Sequence, residues 1–202
     1  MSTKFVVAIG YSEGGLEPIS TFFDHVPHDH VTYVILRHIP VGQRSLIGDI
    51  LQRHSKLKIM EVEDGMSIEN DVVYIPSSTS YLTIADDKLY LHPRVHDSRN
   101  YNYSVNTFLE SLAVAKGEKA VAVILSGNGV DGAVGVTQIH ERGGLVIAQE
   151  PASCENPGMP ENAIGTNCVH HVLPPSDMPG AIARHILPLL KRPNVISRLN
   201  ES

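Results

Sequence analysis

The chain has 202 residues, 42% of them hydrophobic, and a formal net charge of -6 with histidines neutral. That length and composition suit one large α/β domain, or two small ones, with a sizeable core. The acidic balance argues against a general nucleic-acid binder, which needs a basic face. No apolar run approaches ~20 residues, so no membrane insertion is expected. Met1-Ser2-Thr3-Lys4 leads straight into an apolar run with no signal-peptide pattern, which makes the cytoplasm the expected location. Cys154 and Cys168 lack a C-x-x-C arrangement and read as free thiols of a reducing compartment.

In chain order, residues 5–9 are apolar throughout, as buried parallel strands are. Leu16, Ile19, Phe22, Phe23 and Val26 recur at helical spacing and predict a helix over 15–26. Residues 31–36 form a second apolar strand closing on Arg37-His38-Ile39-Pro40, and 45–54 read as a helix. Short strands follow at 57–62 and 72–75. Residues 81–84 and 88–91 flank Ala85-Asp86-Asp87 as a β-hairpin, and 92–103 read as a long polar loop. A helix over 105–116 precedes the strongly apolar strand 120–125. Next come a glycine-dense turn, a helix to Arg142 and a strand over 145–148. After a Pro-, Asn- and Gly-rich loop at 151–159, a short helix is expected over 160–164 and a strand over 169–173. A last helix spans 177–190, with Pro188 expected to bend or end it, and 191–202 is a polar tail. The alternation predicts a doubly wound, mostly parallel sheet with helices on both faces and a β-hairpin insertion. Ligands of such sheets sit beyond the carboxyl ends of the strands, which selects the loops 10–15, 38–43, 127–132 and 150–160.

Those loops carry chemistry. Gly10-Tyr11-Ser12-Glu13-Gly14 has the G-x-S-x-G spacing of a nucleophile elbow, although a βα turn with a serine N-cap is the simpler reading of that stretch alone. His38 stands at a strand end, where a neutral imidazole could take the serine proton; a backbone-bonded histidine is the plainer alternative. Asp131 could orient that imidazole, and it equally suits a helix start. Gly127-x-Gly129-x-x-Gly132, with Glu150 near the end of the next strand, also fits a dinucleotide fingerprint. His25, His28 and His30 cluster at a helix end without a convincing ligand partner and read as a solvated turn.

Taken together, five motifs resemble the catalytic domain of the chemotaxis receptor methylesterases, the CheB family. They are Gly10-Tyr11-Ser12-Glu13-Gly14-Gly15, Arg37-His38-Ile39-Pro40, Leu125 to Gly132, Gly143-Gly144 with Ala148-Gln149, and Gly158-Met159-Pro160. Gly14-Gly15-Leu16-Glu17, residues 62–66 and Pro151-Ala152-Ser153 look most like the methylesterase domain of CheB–CheR fusion proteins. The resemblance implies a catalytic domain over 1–190 with Ser12 as nucleophile, His38 as general base and Asp131 as its orienter. It implies oxyanion and loop support from Glu13, Gly14, Asn128 and Gly129, and substrate-loop roles for Tyr11, Arg37 and Met159. The implied reaction is hydrolysis of glutamate γ-methyl esters on chemoreceptor cytoplasmic helices, with glutamine deamidation as the family's second reaction and neither metal nor cofactor. The implied partners are a methylated chemoreceptor or receptor-like protein and a CheR-type methyltransferase module.

The sequence departs from the family pattern at Tyr11, where a small residue is usual and a tyrosine could narrow the pocket, and at Arg37, Asn106, Asn128 and Asn156-Pro157. No receiver domain precedes the catalytic part, so phosphorylation-driven unblocking within this chain is not expected. These departures motivate an alternative reading, a catalytically weak or inactive CheB-like module kept for partner binding.

Overall fold

The computed structural model describes residues 4–28, 30–37, 47–94 and 103–190. At its centre is β1 (Val6–Tyr11), all six residues of which are buried. Successive side chains of a strand point to opposite faces, so β1 supplies two cores. Val7, Ile9 and Tyr11 pack on one face and Val6 and Ala8 on the other. An apolar strand with no polar alternation has no face to offer water, and it becomes a middle strand covered on both sides.

The covering elements follow in order: α1 (Leu16–Asp24), β2 (Thr32–Arg37), α2 (Ile47–His54), β3 (Lys58–Glu61), β4 (Met66–Ser67), β5 (Val72–Ile75), β6 (Ser80–Ala85) and β7 (Lys88–Pro93). Then come α3 (Ser104–Lys116), β8 (Ala120–Ile124), α4 (Ala133–Glu141), β9 (Leu145–Gln149), α5 (Gly158–Gly165), β10 (His171–Leu173) and α6 (Met178–Leu190). Seven strands form one sheet in the order β10-β9-β8-β1-β2-β5-β3, with every pairing parallel. Helices α1, α2 and α6 cover one face through Phe22, Phe23, Ile47, Leu51, Ile182 and Ile186. Phe22, Phe23 and Tyr33 meet edge to face, with ring centroids 5.3–6.2 Å apart. The other face takes α3, α4, α5 and the small antiparallel sheet β4-β7-β6.

This is the doubly wound sheet with a β-hairpin insertion that the sequence predicts, with differences of extent. Strand β7 runs two residues into the expected loop because β6 continues opposite it, pairing Tyr81 with His92 and Ser80 with Pro93. The Thr83 hydroxyl also meets His92 Nε2 at 2.8 Å. The two-residue β4, paired with Leu89 and Lys88, is too short to leave a period in the sequence. Pro188 does not end α6, which continues to Leu190. Helix α5 begins at Gly158, two residues before the expected Pro160. Residues 191–202, much of the loop expected at 92–103, and His38 lie outside the described residues.

At the β10 edge His170 Nδ1 accepts the Val146 N–H at 3.0 Å, and its ring lies 4.9 Å from that of His140. Burial, then the like charges of His140, His171 and His185, push His170 below the ordinary histidine value. Burial also lowers His185, with Glu118 opposing it. The folded state therefore binds fewer protons than the unfolded one once pH falls below the unfolded value of about 6.5. Stability is expected to be level above that pH and to fall as pH drops through it toward the depressed folded values. Urea midpoints measured from pH 7.5 down to pH 5.5 check this, and His170→Gln should flatten the slope.

Candidate active site at the β1 and β8 strand ends

Chain order reverses direction across the sheet at β1, which has β2 on one side and β8 on the other. Crevices at such switch points are where parallel sheets bind ligands. Here β1 delivers Ser12, and the loop after β8 delivers Asn128 and Asp131.

Ser12 leaves β1 into a turn closed by the Gly15 N–H on the Ser12 carbonyl at 3.2 Å. Gly14 sits at φ +77, a left-handed conformation that a Cβ would strain. Ser12 does not cap α1: the N-cap is Gly15, with no side-chain cap hydrogen bond. The Ser12 N–H instead crosses to the Ser126 carbonyl at 3.0 Å. A Cβ on Gly127 would stand 2.8 Å from the Ser12 Cβ and 2.4 Å from the Met159 sulfur, so only glycine lets the two loops touch. The backbone N–H groups of Glu13 and Asn128 have no acceptor among the described residues.

Ser126 is fully buried and ties three loops together. Its N–H donates to Gln149 Oε1 at 2.9 Å, and the Gln149 amide donates on to the Ser153 carbonyl and hydroxyl. Its hydroxyl accepts the Asn156 N–H at 3.0 Å and has one proton for the Asn156 or Glu13 carbonyl, at 3.2 and 3.3 Å. The Asn156 carbonyl accepts the Gly127 N–H at 2.8 Å, and the Asn156 amide donates to the Glu13 carbonyl at 3.3 Å. Asn128 Nδ2 donates to Glu13 Oε2 at 2.9 Å.

Asp131 is buried, 3% exposed, and each carboxylate oxygen accepts an N–H from the first turn of α3, Val105 and Asn106, at 2.9 Å. Asn106 returns the arrangement. Its Oδ1 accepts the Gly132 and Gly135 N–H groups at the start of α4, at 3.0 and 2.8 Å. Each helix thus caps the other, satisfying first-turn donors that have no intrahelical partner. The dinucleotide reading of Gly127–Gly132 fails here. The Gly132, Ala133 and Gly135 N–H groups already have acceptors, so they cannot cradle a pyrophosphate. Arg94 lies over the Tyr81 ring at 5.5 Å. Burial pushes its guanidinium below the ordinary arginine value, while Tyr81 and Asp131 pull it back up.

Tyr11, read from the sequence as a residue narrowing the pocket, is 2% exposed and packs beneath the turn, where a Cβ on Gly15 would meet its ring. In register with it is Arg37 on β2. Burial pushes the Tyr11 phenol up, and the neighbouring guanidinium opposes this. Neither the Tyr11 hydroxyl nor Arg37 Nε closes a hydrogen bond among the described residues. Met159, at 1% exposure, packs under Gly127. Of the clustered histidines, His25 bonds the Thr21 carbonyl and His30 pairs with Asp71 at 3.0 Å.

The family model for the CheB methylesterase matches residues 7–182. The chain belongs to that family. It is 33% identical over 184 residues to a protein of Thiobacillus denitrificans named protein-glutamate methylesterase/protein-glutamine glutaminase, covering 88% of this chain and 51% of that one. A protein of the same name from Yersinia pestis is 32% identical over 176 residues, covering 86% and 50%. The chain thus spans about half the length of the curated relatives it matches. The crystal structure of the Thermotoga maritima CheB methylesterase catalytic domain superposes with a TM-score of 0.82 at 27% identity, covering 91% of this chain and 99% of that one.

Within this CheB fold the sequence motifs gain physical reasons. Gln149 of the Ala148-Gln149 motif is the amide that holds the Ser126 N–H, and Gly127 is the contact with Ser12. The motifs pass through Ser126 and Asn156, but their roles as ties between loops, and that of Arg94 as a neighbour of the site, are not read from the sequence. Nothing in their spacing announces them, since each acts through a contact between distant loops. Asn106→Ala strands two buried N–H groups and is expected to cost about 2 kcal/mol or more. Asn106→Asp keeps the acceptor and should recover most of that loss, as urea denaturation of both variants would show.

Proposed function

We propose that this CheB-family chain is a serine esterase that hydrolyses glutamate γ-methyl esters on receptor-type helices. In this reading residues 1–190 form the catalytic domain, and Ser12, His38 and Asp131 are the nucleophile, base and orienting acid. The observation that carries it is the clamped turn at the β1 end. Ser12 is tied through its own N–H to the Ser126 carbonyl, with the unengaged Glu13 N–H beside it and the buried Asp131 on the same loop as Gly127. The names of the Thiobacillus and Yersinia relatives support the same substrate class, with glutamine side chains as a second one.

A serine hydroxyl is a weak nucleophile until a base removes its proton. His38 takes that proton as Ser12 Oγ attacks the ester carbonyl. The charge that develops on the carbonyl oxygen falls to the Glu13 N–H, the position after the nucleophile that serves an elbow in this way, and to donors of the Asn128-Gly129 turn. One such donor is worth about 3 kcal/mol of barrier. His38 returns the proton to methanol as it leaves, and a water activated by the same imidazole releases glutamate from the acyl-serine. Asp131 holds the imidazole in the required tautomer. Tyr11 and Met159 act from beneath, by fixing the turn and the Gly127 contact. The partners of this reading are a methylated receptor and a CheR-type methyltransferase that makes its ester, in the cytoplasm. Among the described residues no helix is long and apolar enough to cross a membrane.

A fluorophosphonate probe should label the wild-type protein and not Ser12→Ala. Methanol release from a peptide glutamyl γ-methyl ester should fall by about 10⁴-fold or more in that variant. An unlabelled wild type that releases no methanol would remove the esterase reading and leave a partner-binding module.

A further inference from the structure

The residue after the nucleophile carries a charge that the mechanism above does not use. Glu13 lies next to Ser12 in the chain, and its Oε2 accepts Asn128 Nδ2 at 2.9 Å. Asn128 is itself next to Gly127, where a Cβ would stand 2.8 Å from the Ser12 Cβ. The Glu13–Asn128 bridge therefore joins the residue after Ser12 to the residue after Gly127. The main chain of Glu13 is held as firmly, its carbonyl lying 3.3 Å from both Asn156 Nδ2 and Ser126 Oγ. What holds the carboxylate is an amide and not a cation: Glu13 has no ion-pair partner among the described residues. A full negative charge is thus pinned beside the nucleophile. Glu155, whose Cβ lies against Gly14, adds a second acidic residue to the same rim.

The proposed reaction changes charge at the atom that sits there. Its substrate is a neutral ester or amide, and its product is a glutamate carboxylate. A fixed negative charge on the residue next to Ser12 acts weakly on the neutral acyl group and repels the product. We propose that Glu13, positioned by Asn128, is a specificity-determining residue that admits uncharged glutamyl esters and glutaminyl side chains and expels the carboxylate product. The proposal rests on the esterase reading for its substrate class. Glutamine at this position would keep an acceptor for Asn128 while removing the charge, which separates the charge from the clamp.

The test uses three versions of one helical peptide, carrying glutamyl γ-methyl ester, glutamine or glutamate at the same position. Binding is measured by calorimetry to the Ser12→Ala protein, with and without Glu13→Gln. The ester is expected to bind more tightly than the acid, and Glu13→Gln should tighten the acid about five- to tenfold while moving the ester less than about twofold. The difference should shrink as salt is raised from 50 to 500 mM, because the bridge is exposed. Asn128→Ala, which frees the carboxylate to swing into solvent, should reproduce part of the effect. In turnover by the Ser12 protein, Glu13→Gln should lower the inhibition constant of the acid peptide with little change in KM for the ester. Equal gains for ester and acid, no gain for either, or no measurable binding of any peptide would overturn the proposal. Fluorophosphonate labelling of Ser12 reports separately on the esterase reading.

Discussion

The hydrogen bond from the Ser12 N–H to the Ser126 carbonyl joins the two strand ends that meet at the centre of the sheet. In most strand-to-helix turns the first free N–H groups belong to the helix that follows. Here the N–H of the serine is given to the neighbouring loop, and the one after it has no acceptor among the described residues. That exchange requires the loops to touch, and Gly127 is what allows it. The rest of the site is support for this contact. Gln149 fixes Ser126 from below, Asn156 brings in the loop before α5, and Met159 fills the space under Gly127.

A second constraint lies behind the contact. Asp131 and Asn106 cap each other's helices, so α3 and α4 are locked at their N-terminal ends where they approach the crevice. A carboxylate used in this way is oriented by two backbone donors before any imidazole arrives. On the esterase reading, catalysis and folding make the same demand on Asp131: a buried carboxyl held still by fixed backbone donors. The cost is that the loop cannot move without uncapping a helix. A site built this way is preorganised, and the proposed specificity role then falls to the exposed pair Glu13 and Asn128.

Much of this was legible in the sequence because the signals were strong and local. Apolar runs bounded by glycine turns located the central strands, and the motifs marked Ser12 and Asp131 in the loops after β1 and β8, while His38 lies outside the described residues. The doubly wound class followed from the alternation of strands and helices, and the choice of loops from the rule that ligands sit at carboxyl ends, while the strand order was not read. What was not legible depends on contacts between distant loops. Asn156 read as an irregularity before Pro157, and in the fold it bonds Ser126, Gly127 and Glu13. Tyr11 read as a wall of the pocket, yet strand alternation turns it into the core beneath the turn. The glycine pattern after β8 fits a dinucleotide loop when taken alone, the CheB resemblance argues against it, and in the fold Asn106 occupies donors such a loop needs. In each case the residue type was visible and its neighbour across the fold was not.

On the esterase reading, the clamped turn aims the Glu13 N–H at charge developing on a group attached to Ser12. A crystal structure of the fluorophosphonate adduct tests it most directly. Phosphorus is expected to be bonded to Ser12 Oγ, with its anionic oxygen about 2.7–3.1 Å from the Glu13 nitrogen and the Ser12–Ser126 bond intact. An adduct whose oxygen points to solvent, away from Glu13, or a protein whose Ser12 stays unmodified, would contradict it.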